Sequence, residues 1–229
     1  MVYVLTTPIC KKHEWARDHR HSSQHKWPIL LGGDCSGIET CALALHRLVG
    51  VDRVKLFFSS DNNPQCRTFL AHNYNIETIY KDAVRDHLRS PRVNVYVNGA
   101  CTQLMRSGVE YIAIQRPDCF VFENVANLAW RHKEFMTEIL QRLQDICLPC
   151  GRQAYAIQWD YINSIQYLPQ QRNRVYIIGC RVDKLVRPFV WPKPPLTKPT
   201  LKSFLGPNNI IQARNPRLTW GESNNPQLH

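Results

Sequence analysis

The side chains best placed to do chemistry stand at the ends of apolar runs. Glu123 follows the run Cys119–Phe122 without a gap, and Arg172 and Arg174 stand just before the run Val175–Cys180. If both runs are strands of one sheet, a carboxylate and two guanidinium groups point towards one rim. Earlier, the run Ile29–Gly32 leads into Gly33-Asp34-Cys35-Ser36-Gly37. Small residues between a strand and a helix let a ligand approach the backbone closely. The segment is neither a phosphate loop, because the Lys-Ser/Thr ending is absent, nor a GxGxxG fingerprint. Val54–Ser59 leads into Ser60-Asp61, and Thr78–Tyr80 into Lys81-Asp82. An acid just past the second strand of a doubly wound sheet can hold ribose hydroxyls. A further acid at the next strand end could accept from an adenine amino group. Each feature alone is equally a tight turn or a helix cap. Gly, Asp and Asp at three successive strand ends describe a site shaped for a nucleoside.

The elements that would position these residues follow from periodicity. Seven short apolar runs read as strands: Ile29–Gly32, Val54–Ser59, Thr78–Tyr80, Val93–Val97, Cys119–Phe122, Ala154–Trp159 and Val175–Cys180. Between them lie helical patterns. Ser36–Val49 has Ile38, Cys41, Leu45 and Leu48 at helical spacing, with Ser36 and Glu39 as a capping box and Gly50 as the stop. Asn63-Pro64 opens a second helix, with Pro at its first position. Leu104–Ile114 and His132–Ile146 complete the set. Strands apolar on both faces and alternating with helices call for an α/β fold: a doubly wound, mostly parallel seven-stranded sheet with helices on both sides. Ligands in such sheets bind at the carboxyl ends of the strands.

The 229 residues carry a net charge of +11. Residues 1–27 hold +3 and residues 182–229 hold +5, so the excess charge sits mainly at the two ends. That pattern suits a polyanionic partner. Residues 1–27 read as a basic, loosely attached arm, 28–181 as the folded core, and 182–229 as a Pro-rich basic tail extended over it. No apolar run approaches the ~20 residues that cross a bilayer, so no membrane is expected. Nine cysteines, an odd number, indicate a reduced intracellular protein and not a disulfide scaffold. Cys147 and Cys150 read as two thiols on a buried helix end, and no metal site is expected there or elsewhere.

The segments GGDCSGIE, SSDNNP, the strand-end Asp82, FENVANL and LPQQRNRVYIIG lie in the order and approximate spacing of the cytosine-5 DNA methyltransferases, and residues 28–205 resemble that family. The resemblance implies a Rossmann-like methyltransferase fold, S-adenosyl-L-methionine as cofactor, and cytosine in duplex DNA as substrate, flipped out of the helix. Transfer RNA is the alternative substrate, as in one branch of the family. It also implies roles. Asp34, Cys35, Ser36, Gly37 and Ile38 would line the methionine part of the cofactor, Asp61 would bind its ribose and Asp82 its adenine. Glu123 would hold the cytosine at nitrogen 3, and Arg174 would contact the ring carbonyl. Asn124, Gln170 and Arg172 would brace or bind the substrate. Cys101 stands nearly where the family's nucleophile belongs, and its thiolate would attack carbon 6 of the ring. A nuclear location follows in a eukaryote and a cytoplasmic one otherwise, with the chain acting as a monomer.

Two departures qualify the resemblance. Cys101 lacks the preceding Pro of the family's Pro-Cys-Gln, and Thr102 separates it from Gln103. The 21 residues between Cys101 and Glu123 suffice for one helix and one strand, without the loop that closes over a flipped base. No base-reading region of recognisable strength follows the last strand. A methyltransferase-like domain that binds cofactor or nucleic acid without turning over is therefore the second expectation.

Overall fold

The apolar runs pair edge to edge into one sheet. The computed structural model describes residues 3–4, 28–84, 86–99, 102–197 and 200–201. In chain order the strands are β1 (Tyr3–Val4), β2 (Ile29–Asp34), β3 (Val54–Ser60), β4 (Thr78–Tyr80), β5 (Val95–Asn98), β6 (Cys119–Val125), β7 (Tyr155–Asn163) and β8 (Asn173–Arg181). The helices are α1 (Thr40–Val49), α2 (Pro64–Asn73), α3 (Thr102–Gln115), α4 (Asn127–Arg131) and α5 (Lys133–Gln144). All seven expected strands are present, and β1 adds a two-residue edge strand inside what the sequence suggested was a loose arm.

The strand order is β1-β7-β8-β6-β5-β2-β3-β4. The chain runs outward from β2 to β3 and β4, then returns to β5 on the other side of β2. The gap between β2 and β5 is therefore the topological switch point, where a doubly wound sheet opens a crevice. Strands β4, β3, β2, β5 and β6 are parallel, whereas β8 is antiparallel to both β6 and β7. The reversal of β8 matters for the site. Because β8 runs backwards, its first residues lie at the carboxyl end of β6, and Arg174 is the register partner of Val125.

Aromatic side chains fill the interior. Phe58, Tyr96, Tyr111, Phe120, Phe122 and Tyr155 are all buried. Ring pairs such as Tyr96–Tyr111 and Phe120–Tyr155 stand 4.5 and 5.1 Å apart in tilted and edge-on arrangements. Two glycines make room for them. A Cβ on Gly32 would come within 2.2 Å of the Phe58 ring, and one on Gly179 within 2.2 Å of the Phe120 ring. Helix α2 starts as its sequence indicates, with Pro64 at its first turn and the Asn63 side chain accepting from the Gln65 amide.

Four local expectations need correction. Helix α1 begins at Thr40, not Ser36, and no capping box forms: Glu39 adopts a left-handed conformation at φ 57° and its carboxylate is buried. Only part of the stripe inferred for this helix faces the core: Leu45 packs beside the buried Ala42, whereas Ile38 and Leu48 face solvent. The segment His132–Ile146 starts late and is preceded by the separate short helix α4, with His132 between them. Cys147 and Cys150 are exposed, on a turn closed by the Gly151 amide donating to the Leu148 carbonyl.

The chain divides into two compact units, Met1–Asn163 with Asn173–Trp191, and Ser164–Arg172 with Pro192–His229. The first contains the sheet. Within it, residues after β8 lack regular structure up to Trp191, and the Gln158 amide donates to the Phe189 carbonyl. In the second unit the Ser164 amide donates to the Arg172 carbonyl, and the Tyr167 hydroxyl to the Pro192 carbonyl. No helix among the described residues is long and apolar enough to cross a membrane.

Candidate active site

The ends of β2, β3 and β5 are stitched together by one buried carboxylate. Asp34 is only 2% exposed, and the Ser60 and Tyr96 hydroxyls donate to its two oxygens. The Asn98 amide in turn donates to the Tyr96 oxygen at 2.9 Å, and the Gly99 amide to the Asp34 carbonyl at 3.1 Å. A buried hydroxyl needs a partner, and a buried carboxylate needs donors. Asp34 meets both needs across three strands at the switch point. Its carboxylate thus serves the scaffold beneath the expected cofactor site.

The loop that follows is held in an unusual shape. Cys35, Gly37 and Glu39 have φ of 53°, 55° and 57°, a conformation that L side chains rarely adopt. The surroundings impose it. The Ser36 amide donates to the Ser60 carbonyl, and the Gly37 amide to Asp61 Oδ2 at 3.0 Å. The Ser59 hydroxyl donates to Glu39 Oε2 at 2.7 Å. Burial pushes the Glu39 carboxyl above its usual range. Burial first, then the charges of Glu39 and Glu123, push the Cys41 thiol up to about 11. Strain gathered in a strand-end loop is a common mark of a ligand site.

The loop is suited to a nucleoside cofactor. The space where a Cβ would stand on Gly37 is open. Asp61 accepts from Gly37 and Asn63 through separate oxygens. A carboxylate has about four acceptor positions, so it retains capacity for hydroxyl groups. At the end of β4, Asp82 Oδ1 accepts from the Val84 amide at 2.8 Å. Ile38 is 56% exposed beside the loop.

The second group lies where β6 and β8 meet. Arg174 Nε donates to Glu123 Oε1 at 2.7 Å, with side chains 19% and 25% exposed. The guanidinium is held from its other side by the Asn173 carbonyl at 2.8 Å. Asn124 points to the opposite face of β6, where its amide donates to Met105 Sδ and its oxygen accepts from the Val125 amide. Gln170 and Arg172 are exposed in the second unit. Cys101 lies outside the described residues. Its chain position is two residues past Gly99 and immediately before α3, which begins at Thr102. Helix, turn and β6 fill the interval to Glu123, as the residue count required.

A family model for C-5 cytosine-specific DNA methylases matches residues 97–221, more than half of the chain. The chain belongs to this family. Over 100 residues it is 34% identical to the Type II methyltransferase M.NmeDI of Neisseria meningitidis serogroup C, a match covering 41% of this chain and 22% of that protein. Among solved structures it resembles a prophage-encoded E. coli protein assigned as a DNA modification methyltransferase, with a TM-score of 0.54, 13% identity, and coverage of 67% of this chain and 47% of that one. It also resembles the S. pombe Dnmt2 methyltransferase, with a TM-score of 0.50, 14% identity, and coverage of 71% and 52%. These likenesses support the Rossmann-like methyltransferase fold. The chain spans about a fifth of the curated relative and about half of each structural neighbour.

Asp34, Asp61 and Asp82 stand at the ends of β2, β3 and β4 as the sequence suggested, and Arg174 meets Glu123. The sequence reading did not include Tyr96, Asn98, Ser59 and Ser60, and it took Glu39 as a helix cap. A tyrosine and an asparagine inside an otherwise apolar strand, Val95-Tyr96-Val97-Asn98, were the available signal that a buried polar partner had to exist.

Proposed function

We propose that this chain is the catalytic core of a methyltransferase that places a methyl group on carbon 5 of cytosine in DNA. What carries the reading is the Glu123–Arg174 pair, 2.7 Å apart at the carboxyl end of β6, in a chain of this family. S-adenosyl-L-methionine would supply an electrophilic methyl group. The 34–38 loop would hold its methionine part, Asp61 its ribose and Asp82 its adenine.

Cytosine is a poor electrophile until its ring is protonated or polarised. Glu123 would hold nitrogen 3 and favour its protonation. Arg174, oriented by Glu123, would draw charge onto the ring carbonyl. The Cys101 thiolate would then bond to carbon 6, making carbon 5 nucleophilic. After methylation, loss of the carbon 5 proton and of the thiolate would restore the aromatic base. Asn124 would act indirectly, by fixing β6 against α3.

The test is transfer of labelled methyl from S-adenosyl-L-methionine to unmethylated duplex DNA, with transfer RNA in parallel. Label in DNA is expected; label in transfer RNA alone would change the substrate. A second reading, cofactor binding without turnover, is favoured by one observation. Helix α3 starts directly after Cys101, which leaves no closing loop between β5 and α3. Calorimetric binding of S-adenosyl-L-methionine without methyl transfer to either nucleic acid would establish it.

A further inference from the structure

An exposed tryptophan stands at the same end of the sheet as Glu123 and Arg174. Trp130, in α4, is 59% exposed. Its indole packs edge-on against Tyr161 of β7, with centroids 5.9 Å apart at 68°. Tyr161 is the register partner of Val175, the residue after Arg174. Helix α4 itself begins two residues after β6 ends. Connectivity and pairing thus both bring Trp130 to the rim. The Tyr161 contact fixes an indole that stays more than half exposed.

The residues that follow add charge. Trp130, Arg131, His132, Lys133, Glu134 and Phe135 line an open cleft of about 450 Å³ at the start of α5. Arg131 and Lys133 are exposed and form no ion pair among the described residues. The basic residues nearby on α3 and along α5 differ. Arg106 is tied to Glu138 through two bonds of 2.9 and 2.7 Å, and Arg142 reaches Glu138 and Glu110 at 3.6 Å. Glu134, also in the lining, offsets part of this charge, so the cleft presents two cations against one carboxylate. The amides at the start of the twelve-residue α5 add partial positive charge there.

We propose that this cleft docks the DNA strand carrying the target base, with phosphates on Arg131 and Lys133 and Trp130 stacked on a neighbouring base. The chemistry fits a nucleic-acid strand: aromatic faces take any base, and guanidinium and ammonium groups take the backbone. The inference rests on the reading of DNA as substrate and adds a docking element outside the basic ends. It identifies a surface at the rim itself, where the sequence offered no reader.

The test is fluorescence anisotropy of a labelled unmethylated duplex against salt, with circular dichroism to show folding and calorimetry of S-adenosyl-L-methionine on the same proteins. Trp130→Ala should weaken DNA binding about tenfold, from lost stacking. Arg131→Ala with Lys133→Ala should lower the slope of log affinity against log salt by about 2, one per phosphate contact. Arg142→Ala, whose cation is already paired, should leave that slope unchanged. Unaltered affinity and slope in folded Trp130 and Arg131/Lys133 variants would overturn the proposal, as would absence of duplex binding by the unaltered protein or the same pattern with transfer RNA only. Failure here is separable from failure of the proposed activity. Intact cofactor binding and methyl transfer with indifferent cleft variants removes the cleft alone, whereas the expected binding pattern without methyl transfer removes the activity alone.

Discussion

Replacing Asp34 by Ala tests whether its carboxylate holds the scaffold or the ligand. The side chain is buried and accepts from the Ser60 and Tyr96 hydroxyls. Removing it leaves two buried hydroxyls without that acceptor, each costing about 1–3 kcal/mol. Relief from desolvating a carboxylate offsets part of this, so a net loss of about 3 kcal/mol is expected. For a domain of this size that lowers the melting temperature by roughly 6–12 °C. Asp34→Asn keeps one acceptor oxygen and should lose about half as much. Thermal and urea unfolding followed by circular dichroism, without cofactor, read the effect directly. Calorimetry with S-adenosyl-L-methionine runs alongside. If Asp34→Ala melts within a degree or two of the unaltered protein yet no longer binds cofactor, the carboxylate works on the ligand and the scaffold argument is wrong.

Other consequences can be measured independently. Gly179→Ala drives a methyl group to within 2.2 Å of the Phe120 ring and should cost about 1–3 kcal/mol in urea unfolding; an unchanged midpoint would mean the ring moves freely. Burial raises the Glu39 carboxyl above the ordinary carboxylate range, so the folded state holds its proton more tightly than the unfolded state. Stability should therefore fall as pH rises from about 4.5 through the higher folded value, and Glu39→Gln should flatten that part of the pH profile. A variant with the same profile as the unaltered protein would contradict this. The Arg152 guanidinium, donating to Cys150 Sγ at 3.4 Å, holds that exposed thiol below its ordinary value, while Cys41 is pushed up to about 11. Limited alkylation at neutral pH with mass-spectrometric mapping should label Cys150 well before Cys41. The reverse order would refute both assignments.

Much of the architecture was legible because the strands read as mainly apolar runs bounded by Gly, Asp and Pro. The direction of β8 was not. Nothing in Val175–Cys180 distinguishes a parallel strand from an antiparallel one, yet only the antiparallel course brings Arg174 to Glu123. Helix α1 misled for a different reason. Ser36 and Glu39 have the spacing of a capping box, but Glu39 is drawn inward to Ser59, and a tertiary contact displaced the local cap. The pairs Cys35/Gly37 and Asp34/Tyr96 show the same limit in the site. The small residues pointed to a close approach, whereas the three-strand network that fixes the loop depends on contacts 26 and 62 residues apart in the chain. The Trp130 surface was likewise hidden, since α4 looked like the lead-in to one longer helix.

The central claim is that Cys101 attacks cytosine in a site organised by Glu123 and Arg174. A duplex carrying 5-fluorocytosine at the target position tests it most directly, because fluorine cannot leave carbon 5 as the proton does and the thiol–base bond should persist. Incubated with S-adenosyl-L-methionine, the protein should form a DNA adduct that survives denaturing electrophoresis and disappears in Cys101→Ser. No adduct from folded, cofactor-binding protein, or an adduct that persists in Cys101→Ser, would contradict the account.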